Sequence, residues 1–237
     1  EGTTDKMHKY DGAFYSKMSM NVDAEGEDDS GVLRITADNE GLNSELHLTV
    51  NGGTIYIQSQ DDGINTNEDG LSVFTLNGGF LTVEGGLGTE GDGIDSNGYL
   101  TINGGTLWTM SNERSADGGL DADEAITING GTVYAFGTRN DAVDSSSAQP
   151  YLELSFASTL EDGSVVTVID QEGETLFEAV CQKSCQSITL SSEALALDTT
   201  YFVYVDGVQQ CYTGNLSGMA GDGGGQPGGG TPPGGAG

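Results

Sequence analysis

The sequence is poor in positive charge, with 7 Lys and Arg against 37 Asp and Glu, and its formal net charge is −30 over 237 residues. Proteins bind nucleic acids and anionic membranes largely through lysine and arginine, which neutralise phosphate groups. The composition therefore excludes nucleic acid as a partner. The excess of carboxylates favours divalent cations instead.

Long apolar runs are also missing, and none approaches the roughly 20 residues that a membrane-spanning helix needs. We therefore expect no membrane insertion in this segment, and no signal peptide is recognisable. The sequence begins at Glu1 rather than Met, which predicts a mature or excised piece whose targeting segments lie outside it.

Cysteine is scarce, and Cys181, Cys185 and Cys211 all fall in the last third of the chain. An odd count permits at most one internal bridge, and the spacing without nearby histidine excludes a zinc site. A bridge to Cys211 and three unpaired thiols both remain open.

Glycine, by contrast, is abundant, with 39 residues, and much of it is periodic. Asn-Gly-Gly recurs every 26 residues, at 51–53, 77–79, 103–105 and 129–131. Apolar residues alternate on both sides of each copy, which is the pattern of half-buried strands. Each Asn-Gly-Gly is therefore predicted to be a corner between strands, and no phosphate-binding loop is implied.

A second motif lies between the corners: DDGINTN at 61–67, GDGIDSN at 91–97, DGGLDAD at 117–123 and NDAVDSS at 140–146, with a degenerate NEGLNSE at 39–45. Short strands that stack on their own copies form a parallel β-helix. A β-propeller is excluded because its blades need about 40 residues. We predict an all-β fold, a right-handed parallel β-helix of about five coils over 31–150.

The flanking segments lack the repeat. Residues 1–30 are predicted to be a lead-in strand and an acidic loop, and 151–215 a C-terminal antiparallel β cap or small β-sandwich that covers the open end of the coils. Residues 216–237 form a Gly/Pro-rich flexible linker, which implies further modules or a cell-surface anchor beyond it.

Stacking would turn every aligned position into a ladder with a spacing of about 4.8 Å. An asparagine ladder of Asn51, Asn77, Asn103 and Asn129 can pass amide hydrogen bonds along the stack. Acidic ladders are costly, since two carboxylates about 5 Å apart repel by about 3 kcal/mol at an effective dielectric near 20. The three predicted acidic columns are Asp62, Asp92 and Asp141; Asn65, Asp95, Asp121 and Asp144; and Asn67, Asn97 and Asp123.

Calcium would compensate this repulsion, because it accepts six to eight oxygen ligands in irregular cages, whereas magnesium keeps its water. The alternative is a solvated acidic face with splayed side chains. NTNEDG at 65–70 resembles half of an EF-hand loop, but Leu76 stands where that loop needs glutamate. The sequence therefore predicts Ca²⁺ as cofactor, outside any EF-hand.

A largely aromatic column faces outward five residues after each corner asparagine. It contains Tyr56, Thr82, Trp108 and Tyr134, with Arg34 at the matching place in the degenerate unit. Tyr99 is predicted to widen it. Such a strip can stack on sugar rings or can be a cross-strand ladder that stabilises the sheet. Both interpretations stay open.

The TINGGT corners alternating with GDGIDSN and DGGLDAD resemble a family of secreted carbohydrate-binding β-helix domains from clostridia and related bacteria. The resemblance covers about 31–213 and implies an extracellular location, likeness to calcium-dependent pectate lyases, and binding of cellulose and acidic sugars. It also implies calcium ligands among Asp62, Asn65, Asp92, Asp95, Asp117, Asp121, Asp123, Asp141 and Asp144.

We therefore expect a non-catalytic, calcium-dependent module whose partner is a plant cell-wall-type polysaccharide. The first alternative is a pectate lyase acting by β-elimination, which needs a Lys or Arg base beside calcium. The coil region has no lysine, so Arg114 or Arg139 would serve. The second alternative is a structural stalk or adhesin module.

Overall fold

A computed structural model describes residues 12–24 and 31–210. These residues form strands, turns and bends, and no helix occurs among them, so none of the described part could cross a membrane as a helix. Cys211, the predicted linker at 216–237 and most of the predicted acidic loop lie outside the described residues.

Fifteen short strands form three parallel sheets, and each turn of the chain gives one strand to each sheet. Sheet 1 contains β1 (Phe14–Ser16), β4 (Leu42–Ser44), β7 (Ile64–Thr66), β10 (Ile94–Ser96) and β13 (Leu120–Ala122). Sheet 2 contains β2 (Ser19–Val22), β5 (His47–Val50), β8 (Val73–Leu76), β11 (Tyr99–Ile102) and β14 (Ala125–Ile128). Sheet 3 contains β3 (Val32–Ala37), β6 (Thr54–Ser59), β9 (Phe80–Glu84), β12 (Thr106–Met110) and β15 (Thr132–Gly137).

The parallel β-helix is thus confirmed, although it makes about four turns rather than about five, since the five strands of each sheet span only four steps. The last predicted unit, NDAVDSS, forms no strand and makes a single bridge between Val143 and Ile126. Its Ala142 replaces the glycine of the other copies, and β1 and β2 lie instead within the predicted lead-in.

The corners between sheets 2 and 3 follow from the Asn-Gly-Gly repeat. The second glycine of each copy has a positive φ of 78 to 90°, in Gly53, Gly79, Gly105 and Gly131. The asparagines form the predicted ladder, in which Asn103 Nδ2 donates to Asn77 Oδ1 at 2.9 Å and Asn129 Nδ2 donates to Asn103 Oδ1 at 2.9 Å. Inside the coil, one continuous core includes Ile94, Leu100, Ile102 and Leu107, all fully buried.

The C-terminal part is antiparallel, as predicted. Strands β16 (Tyr151–Leu160) and β19 (Cys185–Ser191) extend sheet 3 beyond β15, and β19 pairs antiparallel with both neighbours. A separate sheet 4 contains β17 (Val165–Ile169), β18 (Thr175–Val180), β20 (Phe202–Val205) and β21 (Val208–Gln209). The cap has its own hydrophobic core, which includes Phe177, Ile188 and Val203, and it covers the edge of β15.

Candidate functional site

An open groove of about 590 Å³ crosses the outer face of sheet 3. Its floor is the outward column in which Arg34 stands beside Tyr56, Tyr56 beside Thr82, and Thr82 beside Trp108 in the parallel register. Each step adds about 4.8 Å, so Arg34 and Trp108 are about 14 Å apart along the coil axis. We call this cavity the axial groove; its other polar and aromatic lining residues are Thr36, Gln58, Phe80, Glu84 and Gln182.

The first coils supply a cation and two rings. The guanidinium carbon of Arg34 lies 4.1 Å from the centroid of the Tyr56 ring, within the range of a cation–π contact. The Tyr56 and Phe80 rings are tilted by 56°, with centroids 6.3 Å apart. Phe80 was not predicted from the sequence, although it lies outward in the strand, two residues before Thr82.

Trp108 lies at the opposite end of the axial groove and is half-buried. Its ring stacks on that of Tyr134, with centroids 4.6 Å apart and an angle of 24°. Tyr134 in turn meets the edge of Phe177 in the cap, at 5.7 Å. Among the described residues Trp108 Nε1 is buried with no hydrogen-bond partner.

The predicted aromatic strip is therefore divided between two roles. Tyr134 packs against the core of the cap and does not line the axial groove, so its place is in the cross-strand stack, whereas Trp108 belongs to that stack and also lines the groove. Burial also raises the pKa of Tyr134. Tyr99 is exposed but lies on β11 of sheet 2, beside Val73 and Ala125, and it does not widen the groove.

The acidic motifs converge in the turns around sheet 1. In register, Asn43 stands beside Asn65, Asn65 beside Asp95, and Asp95 beside Asp121. Asp62 and Asp92 precede this column, and backbone amides bind them: Asp92 N donates to Asp62 Oδ1 at 2.7 Å, and Gly118 N donates to Asp92 Oδ1 at 2.6 Å. We call Asp62, Asn65, Asp92, Asp95 and Asp121 the aspartate cluster.

Four carboxyl groups of the aspartate cluster hold their protons unusually well. Desolvation by burial is the main cause, and the neighbouring carboxylates add to it. The pKa rises to about 7 for Asp62, about 9 for Asp92, about 8 for Asp95 and about 6 for Asp121. Desolvation, together with a smaller contribution from the repulsion predicted from the sequence, thus raises these pKa values, and amide donors to Asp62 and Asp92 only partly offset the rise.

Other predicted acidic residues lie around the cluster. Asp117 accepts from Gly91 N at 2.7 Å, and Asp141 Oδ2 accepts from Ala122 N at 3.3 Å. Asn97 Nδ2 donates to Asn67 O and Asp69 Oδ1, both at 3.0 Å, whereas the Asp123 side chain is exposed.

Asp144 does not extend the predicted column. Its amide donates to Ile126 O of sheet 2 and its side chain is exposed, because the last unit does not continue sheet 1. Glu40 was missed, although it occupies the place of Asp62 in the degenerate NEGLNSE copy. Asn65 Nδ2 donates to Glu40 Oε1 at 3.0 Å and to Asp62 Oδ2 at 3.2 Å.

The donor set suits a hard cation, because it consists of carboxylate and amide oxygens. Asn65 Oδ1 is buried and finds no hydrogen-bond donor among the residues that the structure describes. Within the same residues, no three acidic, histidine or cysteine side chains are close enough together to enclose a metal ion. A polar cavity of about 460 Å³ adjoins the cluster and is lined by Glu40, Asn43, Asn65, Asn67 and Asn97 among others.

The cap brings a lysine to the last three coils, since residues 31–150 contain none. Lys183 Nζ donates to Gly85 O at 2.5 Å and to Ser111 O at 3.1 Å, and burial lowers its pKa. Arg114 Nη2 donates to Gly88 O at 3.2 Å. Both cations bind backbone carbonyls of the coil, so they tie segments together.

A comparison with protein families found one match that covers most of the chain: a family described as "Carbohydrate-binding domain-containing protein" matches residues 1–199. Comparison with curated proteins and with solved structures gave no match.

Proposed function

This chain belongs to the family of carbohydrate-binding domain-containing proteins, and from that premise we propose that the axial groove is its polysaccharide site. The observation that carries the proposal is the alignment of Arg34, Tyr56 and Trp108 across successive coils in one open cavity. Half-buried aromatic rings offer apolar faces to pyranose rings, while the polar side chains beside them fix the hydroxyl groups.

The groove runs along the coil axis for about 14 Å, which suits a segment of an extended polysaccharide rather than a single sugar. Thr36, Gln58, Glu84 and Gln182 present hydroxyl, amide and carboxylate groups along it. Arg34 adds a positive charge at one end. We propose a plant cell-wall-type glycan as ligand, either cellulose or an acidic pectin-like chain, bound by a secreted or cell-surface protein without turnover.

Calcium dependence is a further part of the proposal. The residues that would hold the ion are Asp62, Asn65, Asp92, Asp95 and Asp121, whose oxygens include the unpartnered Asn65 Oδ1. A divalent cation would replace the protons that these buried carboxyl groups otherwise retain. Because the turns that carry Asp62 and Asp92 follow strands β6 and β9 of the groove, an ion there would also hold the groove strands in place.

A polysaccharide lyase is the second candidate, favoured by the position of Arg139. Burial is the main influence on the pKa of Asp121 and raises it, whereas the nearby charge of Arg139 lowers it. Arg139 is therefore the arginine beside the aspartate cluster whose side chain, after loss of its own proton to give the neutral guanidine, could accept a proton from a uronate. Calcium-dependent release of unsaturated uronides, measured by ultraviolet absorbance and lost in Arg139→Ala, would show turnover and overturn the non-catalytic proposal.

The decisive experiment measures retention on immobilised cellulose and pectin, with calcium and with a chelator. We expect Tyr56→Ala and Trp108→Ala each to lower affinity at least about tenfold, which corresponds to about 1.4 kcal/mol. Because Trp108 also packs on the cap, Tyr56→Ala is the variant whose fold is less disturbed.

Tyr99→Ala is the control, since it removes an exposed tyrosine from sheet 2, away from the axial groove, and should leave retention unchanged. Retention that survives both groove substitutions would remove the axial groove as the binding site. A wild-type protein retained on no glycan would support the stalk or adhesin alternative.

A further inference from the structure

Two cysteines flank the turn between the last two long strands of the cap. Cys181 directly follows β18, and Cys185 begins β19. Both side chains are buried, with relative exposures of 0% and 1%, and their Sγ atoms lie 3.6 Å apart. The residues between them, 182–184, are exposed or half-buried, so the two thiols point inward together while the loop points out.

The loop 182–184 is a contact between the cap and the groove end. Gln182 lines the axial groove, and Lys183 Nζ donates to Gly85 O and Ser111 O. Ser184 N donates to Glu113 Oε2 at 3.3 Å. Three consecutive residues thus join the cap to turns of the coil that border the binding cavity.

We propose that Cys181 and Cys185 form a disulfide that fixes the loop 182–184 against the end of the axial groove. Thiols this close need only a small side-chain rotation to reach bonding distance. The bond would close a small ring around the loop, and the burial of both sulfurs would protect it from reduction in the folded protein.

The oxidant is an external disulfide of the kind that oxidising compartments supply. The Cys181 thiolate attacks it, forms a mixed disulfide and releases one thiolate; Cys185 sulfur then attacks Cys181 sulfur and releases the second. The two protons lost by the cysteines protonate the two released thiolates. Because both thiols are buried in the folded cap, the exchange takes place before the cap closes.

The test uses the full chain refolded with a mixture of oxidised and reduced glutathione. Trypsin cleaves after Lys183, between the two cysteines, and the sequence has no further Lys or Arg. The disulfide therefore joins peptide 140–183 to peptide 184–237, which non-reducing mass spectrometry detects. Because the second peptide also carries Cys211, the link should persist in Cys211→Ser and disappear in Cys185→Ser.

A link that persists in Cys185→Ser and disappears in Cys211→Ser would overturn the proposal in favour of a Cys181–Cys211 bridge. Three free thiols after oxidative refolding would overturn it as well. A second readout is the melting temperature of Cys211→Ser, which should fall by about 5 °C on reduction. The double variant Cys181→Ser/Cys185→Ser should show no such fall.

The effect on the groove rests on the proposed function, and the experiment separates the two. We expect reduction to weaken glycan retention about threefold, because Gln182 loses its fixed position. If the disulfide is mapped but neither redox form retains a glycan, the proposed function fails and the disulfide stands. If the disulfide is mapped but the oxidised and reduced proteins are retained equally on the glycan, the proposal that the disulfide positions the end of the groove through the loop 182–184 is wrong.

Discussion

The half-buried aspartates of the cluster are the residues whose chemistry the stacking changes most. A single Asp-Gly-Ile-Asp turn would be an ordinary solvated acidic loop. Stacked copies place Asp95 beside Asp121 and near Asp62, and the coil removes them from water. Two of the carboxylates then depend on an amide of the next turn: Asp62 on that of Asp92, and Asp92 on that of Gly118.

This environment predicts an unusual pH dependence for the metal-free protein. The folded-state pKa values of Asp62, Asp95 and Asp92, at about 7, 8 and 9, lie above the ordinary value of 3.8. A raised folded-state pKa contributes stability that is fully present below about pH 4 and is lost as the pH rises through the folded value. In a chelating buffer we therefore expect the melting temperature to fall between pH 5 and pH 9.

The substitution that tests this dependence is Asp95→Asn, because asparagine already occupies the equivalent position 65. It should flatten the fall in melting temperature across that pH window. Asp144→Asn is the control: the Asp144 carboxyl is exposed, and hydrogen bonds with Ser146 lower its pKa, so it should leave the slope unchanged. A melting temperature that stays level from pH 5 to pH 9 in the parent protein would contradict the argument.

At the scale of the element, the corner is the unit on which the stack depends. Successive turns of the coil approach each other closely at the second glycine of Asn-Gly-Gly. A Cβ atom on Gly105 would lie 2.7 Å from Gly79 O, and one on Gly131 would lie 2.6 Å from Gly105 O. These residues therefore need both a positive φ and the absence of a side chain.

Gly105→Ala should consequently lower stability more than a positive φ alone explains. Gly163→Ala is the matched control, since Gly163 has a similar φ of 86° but nothing within 4 Å of the added Cβ. Gly163→Ala should lower the free energy of unfolding by about 1–2 kcal/mol, and Gly105→Ala should lower it by at least about 1 kcal/mol more. Chemical denaturation of the two variants measures the difference; equal losses would show that the coils do not pack closely at their corners.

The same elements show what the sequence could predict. The repeat predicts the parallel strands, the conformation of the corners and the register of the column that contains Arg34, Tyr56, Trp108 and Tyr134. It does so because residues that align between repeats become neighbours when the coils stack. The ring contact between Tyr134 and Phe177 of the cap does not follow from the repeat. The cap has no repeat, so its long-range contacts, including those of Lys183 and Gln182, leave no signal in the sequence. The prediction that Asp144 continues the column of sheet 1 was wrong for a related reason. The segment 140–146 keeps the sequence motif but forms no strand that stacks on sheet 1.

For the whole molecule, the balance of charge and packing is the central feature. A net charge of −30 on one chain opposes the compact state through repulsion between like charges. The coil makes folding less favourable still, because it partly buries some of the carboxyl groups. The asparagine ladder and the two hydrophobic cores hold the structure against this repulsion. The axial groove lies on sheet 3 and the aspartate cluster lies around sheet 1, so the proposed glycan site and the proposed cation site are carried by different sheets.

This balance predicts two separable effects of ions on stability. Sodium chloride acts by screening, since raising it from 0.01 to 0.1 M shortens the Debye length from about 30 to about 10 Å, and the melting temperature should rise by a few degrees. Calcium at about 100 times its Kd should raise the free energy of unfolding by about 2.7 kcal/mol, which raises the melting temperature by roughly 8 °C for a chain of this size. This increase should remain when the sodium chloride concentration is high enough that screening no longer changes. Magnesium at the same concentration should add much less, because it keeps its water.

The double variant Asp95→Asn/Asp121→Asn separates the two effects. It removes two carboxylates that stand side by side in sheet 1, so it should lose the calcium increment and keep the response to sodium chloride. Differential scanning calorimetry with chelator, calcium or magnesium at constant ionic strength measures the calcium effect, and the same measurement at increasing sodium chloride measures the screening effect. If calcium and magnesium raise the melting temperature equally, the aspartate cluster acts as a diffuse acidic face and calcium has no specific site there. If calcium stabilises the double variant as much as the parent, the ion binds elsewhere on the chain.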